Sequence, residues 1–277
     1  MNIEEINKII NPKYTEDKNI ADLNNQFVNA PHCKHIFLDD FFTEETADIL
    51  YENFPSFESL NVIRKSLNEN KREDYNFEAW HPIFQKVRET LASKAFSKII
   101  SRITGIDGLF TNFDSLGQGI HQGAKGSYLD VHIDVNVNVE KKIWRRVNLL
   151  IYLNKGWKDE YGGEIELWDP EMKDCVLKYP CFMNKALIFI TDKNSPHGYS
   201  KINVPEGTTR KSYYAYYYTP LEEGVRYEDS RFLSKPDDSF IKKTATILKE
   251  KAKITIKSIL SKFNITSLDF QDKNKKK

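Results

Sequence analysis

The apolar positions of the first hundred residues are mostly spaced as in helices. Residues 1–30 are polar and predict one short helix and a loop, and His35–Leu38 then predicts a strand. Thr43 is a good helix N-cap, because two glutamates follow it in the first turn, where the helix dipole favours anions. A longer helix is predicted from Pro82, with apolar residues at three- and four-residue steps and Gly105 at the C-terminal cap.

From about Leu109 the apolar spacing falls to two, which indicates strands. The predicted strands are Arg146–Leu153, Glu164–Trp168, Cys175–Tyr179, Ala186–Ile190 and Lys211–Tyr218. Many short strands without intervening helices favour a sandwich or open barrel over a parallel α/β sheet. The charged residues 56–78 are expected to form an irregular loop.

The domain organisation follows from the same pattern. We expect a single domain over residues 1–225, with N-terminal helices and a β core at about 107–219, followed by a basic helix and a disordered tail over 226–277. The helix at 239–263 carries an apolar stripe and seven lysines against one glutamate. Such a helix can lie on an anionic membrane. The commoner arrangement, which we expect here, packs the apolar stripe on the domain and leaves the lysines in solvent.

Composition narrows the class of protein. The chain has 277 residues, a formal charge of +1 and 40% apolar residues, which suits a globular domain and gives no reason to expect a nucleic-acid partner. Three cysteines without a pairing pattern fit a reducing compartment, so a cytoplasmic location is expected. The acidic N-terminus does not look like a secretory signal, and no apolar run approaches the ~20 residues that a membrane span needs. The oligomeric state is left open.

The candidate chemistry lies in a His-x-Asp pair and a later histidine. His132 and Asp134 project to the same side of an extended segment, since residues i and i+2 share a face. His197, after Ser195-Pro196, is the natural third ligand. Two imidazoles and one carboxylate form the facial triad of non-haem Fe(II) oxygenases, which leaves positions open for co-substrate and O₂. Zinc could use the same ligands, but it would leave the downstream cation unexplained.

That cation is Arg210, thirteen residues after His197, with Ser212 on the same face of the next strand. A guanidinium offers a planar fork that fits a carboxylate. A keto acid chelated to the metal needs its far carboxylate neutralised inside a barrel, and Arg210 with a neighbouring hydroxyl can do this.

The residues in this order resemble the Fe(II)/2-oxoglutarate-dependent dioxygenases, in particular their prolyl 4-hydroxylase-like branch. The resemblance covers about residues 115–219, with a weaker similarity at Pro31–Phe54. It rests on the His-x-Asp motif, Arg146–Asn154, Trp157, Gly162-Gly163-Glu164, Ser195-Pro196-His197, Arg210 and the tyrosine-rich last strand. It implies a mainly β fold with flanking helices and a double-stranded β-helix (jelly-roll or cupin-like) core.

The resemblance also implies the cofactors and their ligands. Fe(II) would be held by the triad, and 2-oxoglutarate by Arg210, Tyr152 and Ser212, with Asn148 beside it. O₂ is the co-substrate and ascorbate an optional addition. Hydroxylation of an unactivated C–H bond would give succinate and CO₂ as co-products. The branch often has a tyrosine about ten residues before the first histidine, where this chain has His121-Gln122, and the loop 198–209 is long.

The substrate and two rival functions stay open. A prolyl residue is the substrate that the family suggests, with a free amino acid, a sugar or a glycan as alternatives. Tyr128, Trp144 and Arg145 are candidate substrate contacts. A cupin-like metal isomerase would need no keto acid, and a non-catalytic barrel that binds a saccharide or protein would not need iron. Each candidate residue could also be ordinary core or surface by itself, and it is their order that favours the oxygenase.

Overall fold

One antiparallel sheet of thirteen strands dominates the fold. The computed structural model describes residues 1–114 and 117–262, and for 256–262 only the backbone. The helices are α1 Ile3–Ile6, α2 Asp17–Val28, α3 Glu44–Glu52, α4 Pro82–Ala92, α5 Lys94–Thr104 and α6 Phe240–Lys262. The strands are β1 His35–Leu38, β2 Val62–Lys65, β3 Glu69–Asp74, β4 Gln118–Gly123, β5 Tyr128–Ile133, β6 Val137–Asn138, β7 Ile143–Tyr152, β8 Ile165–Trp168, β9 Cys175–Tyr179, β10 Lys185–Ile190, β11 His197–Tyr199, β12 Arg210–Pro220 and β13 Arg231–Phe232.

The sheet curls so that its two halves face each other. Its order is β1-β10-β7-β12-β4-β3-β5-β11-β8-β9, with β2 on β3, β6 on β7 and β13 on β5. Although three strands separate β12 from β11, the Arg210 guanidinium lies 4.1 Å from the centre of the Tyr199 ring. The two halves therefore enclose a common space, and the predicted mainly β architecture with flanking helices is confirmed.

Strand β12 shows how sequence alternation separates the two faces. Tyr213 and Tyr217 belong to the main core with helix residues, whereas Tyr214 packs in a second cluster with Leu150 and Tyr152. Successive side chains point to opposite faces of a strand, so the tyrosine run serves both layers. The buried Tyr217 hydroxyl donates to the backbone oxygen of Leu91 at 2.9 Å, which ties the sheet to α4.

The helix ends follow the sequence signals, with one exception. The Thr43 side chain accepts a hydrogen bond from the Thr46 amide, and Gly105 caps α5 with a φ of 69°. The predicted single helix from Pro82 is in fact two helices. Ser93 has extended ψ of 144°, ends α4, and accepts from the Phe96 amide to start α5. A serine satisfies helix-end amides with its hydroxyl, so the break costs little.

Residues 56–78 do not form the irregular loop that the sequence predicted. They contain the hairpin of β2 and β3, and β3 bridges the two halves of the sheet by pairing with both β4 and β5. The prediction was wrong because β3 reads Glu-Asn-Lys-Arg-Glu-Asp and has no apolar face. Its pairing partners, and not its own hydrophobicity, make it a strand.

The C-terminal helix forms, but its orientation is opposite to the expected one. Lys242, Lys249 and Lys253 bind the domain, while Ile241 and Leu248 of the predicted packing stripe are exposed. Of the rest of that stripe, Ala252 is exposed and Ala245 is half-buried, while Ile256, Ile259 and Phe263 lie outside the described side chains, as does the tail expected to be disordered. Within the described part of the chain, no helix has the length and apolarity to cross a membrane.

Candidate metal centre

Strands β5 and β11 bring the predicted triad together. His132 lies near the end of β5, Asp134 follows that strand, and His197 opens β11. His132 and His197 are directly paired across the two strands, and their ring centres are 4.4 Å apart. The topology, and not proximity in the sequence, therefore supplies the third group.

The three side chains converge on one point. His132 Nε2 lies 3.6 Å from Asp134 Oδ1, and His197 Nε2 lies 4.0 Å from Asp134 Oδ2. One ligand atom from each residue lies within 4.8 Å of the others. No other such group of three or more His, Cys, Asp or Glu side chains exists in the described ranges.

Backbone carbonyls orient both imidazoles. His132 Nδ1 lies 3.1 Å from the Asp130 carbonyl oxygen, and His197 Nδ1 lies 3.0 Å from that of Ser195. A carbonyl oxygen only accepts, so Nδ1–H is the donor and Nε2 keeps its lone pair. This arrangement is the one found behind metal-bound histidines, because it sets both tautomer and ring orientation.

The electrostatics of the triad also suit a cation. Burial by itself would raise the pKa of Asp134. The neighbouring His132 and Arg145 lower this pKa by more than burial raises it, so the carboxyl stays ionised. Burial and the neighbouring His132 lower the pKa of His197 to about 4, which keeps its ring neutral near neutral pH. Asp134 Oδ2 is buried and has no hydrogen-bond partner among the described residues. A bound metal ion would satisfy this atom and both free Nε2 atoms.

Arg210 lies in the same cavity and is held at a fixed angle. It is 5% exposed, and its Nε donates to the Gly163 carbonyl oxygen at 2.8 Å. Gly163 has a φ of +82°, and a Cβ there would lie 2.7 Å from Ile202 and 3.0 Å from Arg210 Cδ. Only glycine fits this approach. No carboxylate of the described chain pairs with this guanidinium, which lies 4.9 Å from the ring centre of Tyr152 and 4.1 Å from that of Tyr199.

The other residues predicted around the keto acid line the same wall. Tyr152 and Ser212 are direct cross-strand partners on β7 and β12, and both are fully buried. The Tyr152 hydroxyl and Asn148 Oδ1 are buried without a hydrogen-bond partner. Buried polar atoms are nearly always paired, so these two point to a bound polar molecule. The residues present therefore fit both a metal and an acidic chelator.

A third set of charged residues in the cavity was missed by the sequence reasoning. The cavity measures about 390 Å³, and part of its wall carries four side chains from β2, β3 and β4. We call these the charged wall: Arg64, Lys71, Glu73 and His121. The only sequence signal was the alternation of Glu69, Lys71 and Glu73, which places three charges on one face of an extended segment.

The charged wall is held together by ion pairs. Glu73 accepts from Arg64 at 2.6 Å and lies 3.2 Å from Lys71 Nζ. Lys71 Nζ also lies 3.3 Å from His121 Nε2. Burial would raise the pKa of Glu73, but Lys71 and His121 lower it well below its usual value. Burial and Lys71 lower the pKa of His121 to about 4.

The segment after the β core closes one side of the cavity, which the sequence also did not indicate. Strand β13 pairs with β5 so that Phe232 lies opposite His132, with ring centres 5.9 Å apart. Residues 230–232 thereby join the cavity wall. The apolar ring shields the candidate metal site from solvent, since it covers one of its imidazoles.

Only one of the three candidate substrate contacts lines the cavity. Arg145 lines the cavity, and its guanidinium lies 3.6 Å from Asp134 and 3.9 Å from the Tyr216 ring centre. Trp144 is outside the cavity lining, because adjacent residues of a strand point to opposite faces, and it stacks on Arg146. Tyr128 is also outside it, with its hydroxyl bound to the backbone of Ser66 and Leu67.

Glu166, on β8, is a buried carboxylate outside the cavity lining. It is 3% exposed and accepts hydrogen bonds from Lys235, Ser200 and Trp168. Lys235 belongs to the chain segment after the β core. Only the tertiary structure therefore brings this cation to Glu166, where it offsets the desolvation of the buried carboxylate.

The sequence of the β core and the fold of the chain are both similar to those of known proteins. Residues 118–218 match the 2OG-Fe(II) oxygenase superfamily. The fold is similar to a Trichoplax adhaerens prolyl hydroxylase crystallised with a hypoxia inducible factor peptide fragment, at 18% identity and a TM-score of 0.53, covering 75% of this chain and 96% of that one. A Pseudomonas putida prolyl-4-hydroxylase is similar at 15% identity and a TM-score of 0.51, with 72% and 98% covered. No curated protein sequence matches the chain.

The family match includes β4, β5, β7, β8, β10, β11 and most of β12, and hence every residue of the triad and the Arg210 wall. The solved structures add the jelly-roll fold, which confirms the predicted double-stranded β-helix. Residues 118–218 are thus similar to the 2OG-Fe(II) oxygenase superfamily, and the chain has the fold of the prolyl hydroxylases.

Proposed function

We propose that His132, Asp134 and His197 hold Fe(II) and that Arg210, Tyr152 and Ser212 hold 2-oxoglutarate, with Asn148 beside it. The observation that carries this assignment is the set of unpaired polar atoms in one cavity: Asp134 Oδ2, the Tyr152 hydroxyl and Asn148 Oδ1. When bound, Fe(II) and 2-oxoglutarate supply the oxidising chemistry, which consumes O₂, releases succinate and CO₂, and hydroxylates a C–H bond.

The chain's own residues orient and shield the reactants. The Asp130 and Ser195 carbonyls hold the two imidazoles with Nε2 turned inward. The Gly163 carbonyl fixes Arg210, so its remaining N–H groups can meet a carboxylate as a fork. The Tyr152 hydroxyl, whose pKa is raised by burial, stays protonated and can donate to the same carboxylate. Phe232 and the tyrosines of β12 exclude water from the reacting end.

We propose a prolyl residue in a peptide as the first substrate to test. The Trichoplax adhaerens relative was crystallised with a peptide, and its fold is the one seen here. A second candidate is the same hydroxylation on a free amino acid, a sugar or a glycan. The charged wall favours it, because Arg64 and Lys71 have further N–H groups, beyond those that bind Glu73, which can meet the oxygens of a small polar substrate and which a prolyl ring does not need.

An anaerobic titration tests the cofactor assignment without needing the substrate. Fe(II) and 2-oxoglutarate added together should give a metal-to-ligand charge-transfer band in the visible, and neither should give it alone. No band would exclude the assignment and would favour an isomerase or a binding barrel.

Succinate release then separates the substrate candidates. Proline-containing peptides, free amino acids and sugars should be compared, each with mass spectrometry for one added oxygen atom. Hydroxylation of proline in a peptide supports the first candidate, and hydroxylation confined to small polar compounds supports the second.

A further inference from the structure

The C-terminal helix α6 presents its apolar residues to solvent. Within residues 240–255, where side chains are described, five large apolar residues are between 51% and 83% exposed: Phe240, Ile241, Ile247, Leu248 and Ile254. At 100° per residue they fall within an arc of roughly 140°, with Thr244 and Lys251 between them. We call this arc the outer stripe.

The polar side of α6, by contrast, is anchored to the domain. Lys242 Nζ lies 2.9 Å from Asp130 and 2.8 Å from Asp238. Lys249 Nζ donates to Asn68 Oδ1 at 3.0 Å, and Asn68 donates to Thr246 at 2.9 Å. These contacts determine which side of the helix can face the domain, so the outer stripe is turned away from it.

This orientation is unusual, because a helix on a globular domain normally buries its apolar stripe. A contiguous exposed apolar surface marks a site of interaction with another protein or a membrane. The charges of α6 decide between these partners. Lys251 lies at the centre of the outer stripe and is exposed. Glu250, the only acid of the helix, is turned inward and lies 3.4 Å from Lys253.

A second copy of the chain is a poor match for this surface. Two outer stripes packed together would bury Lys251 against apolar side chains, and α6 offers no outward carboxylate to neutralise it. An anionic bilayer accommodates both features, since apolar side chains enter the acyl boundary while lysines extend to the lipid phosphates. Residues 256–277 continue the same bias, with six lysines against two aspartates.

We propose that the outer stripe of α6 docks this protein on the surface of an anionic lipid bilayer. The inference goes beyond the proposed chemistry and does not depend on it. Because Lys249 lies 4.9 Å from the Phe232 ring centre and Lys242 binds Asp130, two residues before His132, the helix adjoins the wall of the catalytic cavity. Docking would therefore place that cavity close to the membrane surface.

Co-sedimentation of the full chain with vesicles tests the proposal. Vesicles of equal parts phosphatidylcholine and phosphatidylglycerol should bind the protein, and pure phosphatidylcholine should bind it weakly. The double variant Ile247→Ser/Leu248→Ser should reduce the partition coefficient at least about tenfold, because two apolar side chains lose their burial. Lys251→Glu should reduce it about tenfold or more on anionic vesicles alone.

Val139→Ser is the matched control, because Val139 is 63% exposed, close to the 61% of Leu248, and lies outside α6. It should bind as the wild type does. Circular dichroism confirms that each variant folds. Wild-type protein that stays in the supernatant with anionic vesicles overturns the proposal. So does a dimer, measured by light scattering, that Ile247→Ser/Leu248→Ser dissociates while vesicle binding is absent.

Discussion

Two parts of the cavity lining differ in how their polar atoms are satisfied. One is the charged wall, and the other, the triad and Arg210 wall, consists of the triad and the residues around Arg210. On the triad and Arg210 wall, Asp134 Oδ2, the Tyr152 hydroxyl and Asn148 Oδ1 have no hydrogen-bond partner among the described residues. On the charged wall, Glu73 is neutralised by Arg64 and Lys71 within the protein. Both walls are buried and rich in charge, but only one is incomplete without a ligand.

We propose from this difference that the first wall binds the ligands and that the second supports the strands. A buried polar atom without a partner costs about 1–3 kcal/mol, so a chain retains it where a ligand completes it. A buried carboxylate with two cations is complete and holds its strands in place. Substitutions on the first wall should therefore impair binding, and substitutions of Glu73 should impair folding.

Removal of a triad ligand should have the largest effect. Asp134→Ala is expected to abolish the charge-transfer band and substrate-linked succinate release. Loss of a residue behind a metal ligand alone costs 10–100-fold in metal affinity, so loss of the ligand should cost more than about a hundredfold. The exposed Asp107→Ala is the control. Normal succinate release by Asp134→Ala with added iron would refute the triad.

Removal of Glu73 should instead destabilise the fold. Glu73→Gln leaves Lys71 buried without its anion, which is expected to lower the free energy of unfolding by about 3 kcal/mol. Urea denaturation measures this. Glu69→Gln, on the same strand and cavity wall, should cost less than about 1 kcal/mol. If Glu73→Gln were as stable as the wild type but no longer bound Fe(II), then the charged wall would serve binding and not folding, and the distinction between the two walls would be wrong.

Arg210→Ala should weaken 2-oxoglutarate and leave Fe(II) binding intact. Hydrogen bonds to a charged group contribute about 1.5–3 kcal/mol, so the Kd for 2-oxoglutarate should rise about ten- to a hundredfold. Calorimetric titration of the iron-loaded protein gives this Kd directly. Arg72→Ala, whose guanidinium binds the Phe57 and Glu58 carbonyls instead, is the control. An unchanged Kd in Arg210→Ala would exclude its assigned role.

The smallest expected effect concerns pH. The pKa of His121 is about 4 in the folded chain and about 6.5 when unfolded. As pH falls, the unfolded chain binds this proton first, so folding stability is lost. The loss from His121 should be about 1 kcal/mol between about pH 7 and pH 5.5, above the range where Glu73 titrates. Between about pH 7 and pH 5.5, the metal-free His121→Gln variant should therefore lose about 1 kcal/mol less folding stability than the metal-free wild type, measured by urea denaturation. Equal losses in both proteins would contradict a neutral His121.

Local sequence signals predicted most of the strands and which residues share a face of them. On β12, Tyr213 and Tyr217 pack in the main core and Tyr214 packs on the other face, as the two-residue period of a strand requires. His132 and Asp134 share a face because they are two residues apart, and Arg210 and Ser212 do so for the same reason. Arg145 lines the cavity and its neighbour Trp144 does not, because adjacent residues of a strand point to opposite faces.

Contacts between distant segments could not be foreseen. Strand β3 forms from a wholly polar segment because β4 and β5 offer it hydrogen-bond partners. The charged wall exists because Arg64, Glu73 and His121 meet across three strands. Neither arrangement has an apolar pattern that local reasoning could detect.

The local pattern thus specified which residues share a face and which chemistry they can perform, since periodicity and residue type are properties of the chain. Which faces meet was decided only in the folded protein. Strand pairing places His197 opposite His132, and the anchoring of Lys242 and Lys249 turns the apolar side of α6 outward. The free energies of those pairings depend on partners up to 183 residues away along the chain, which no local window contains.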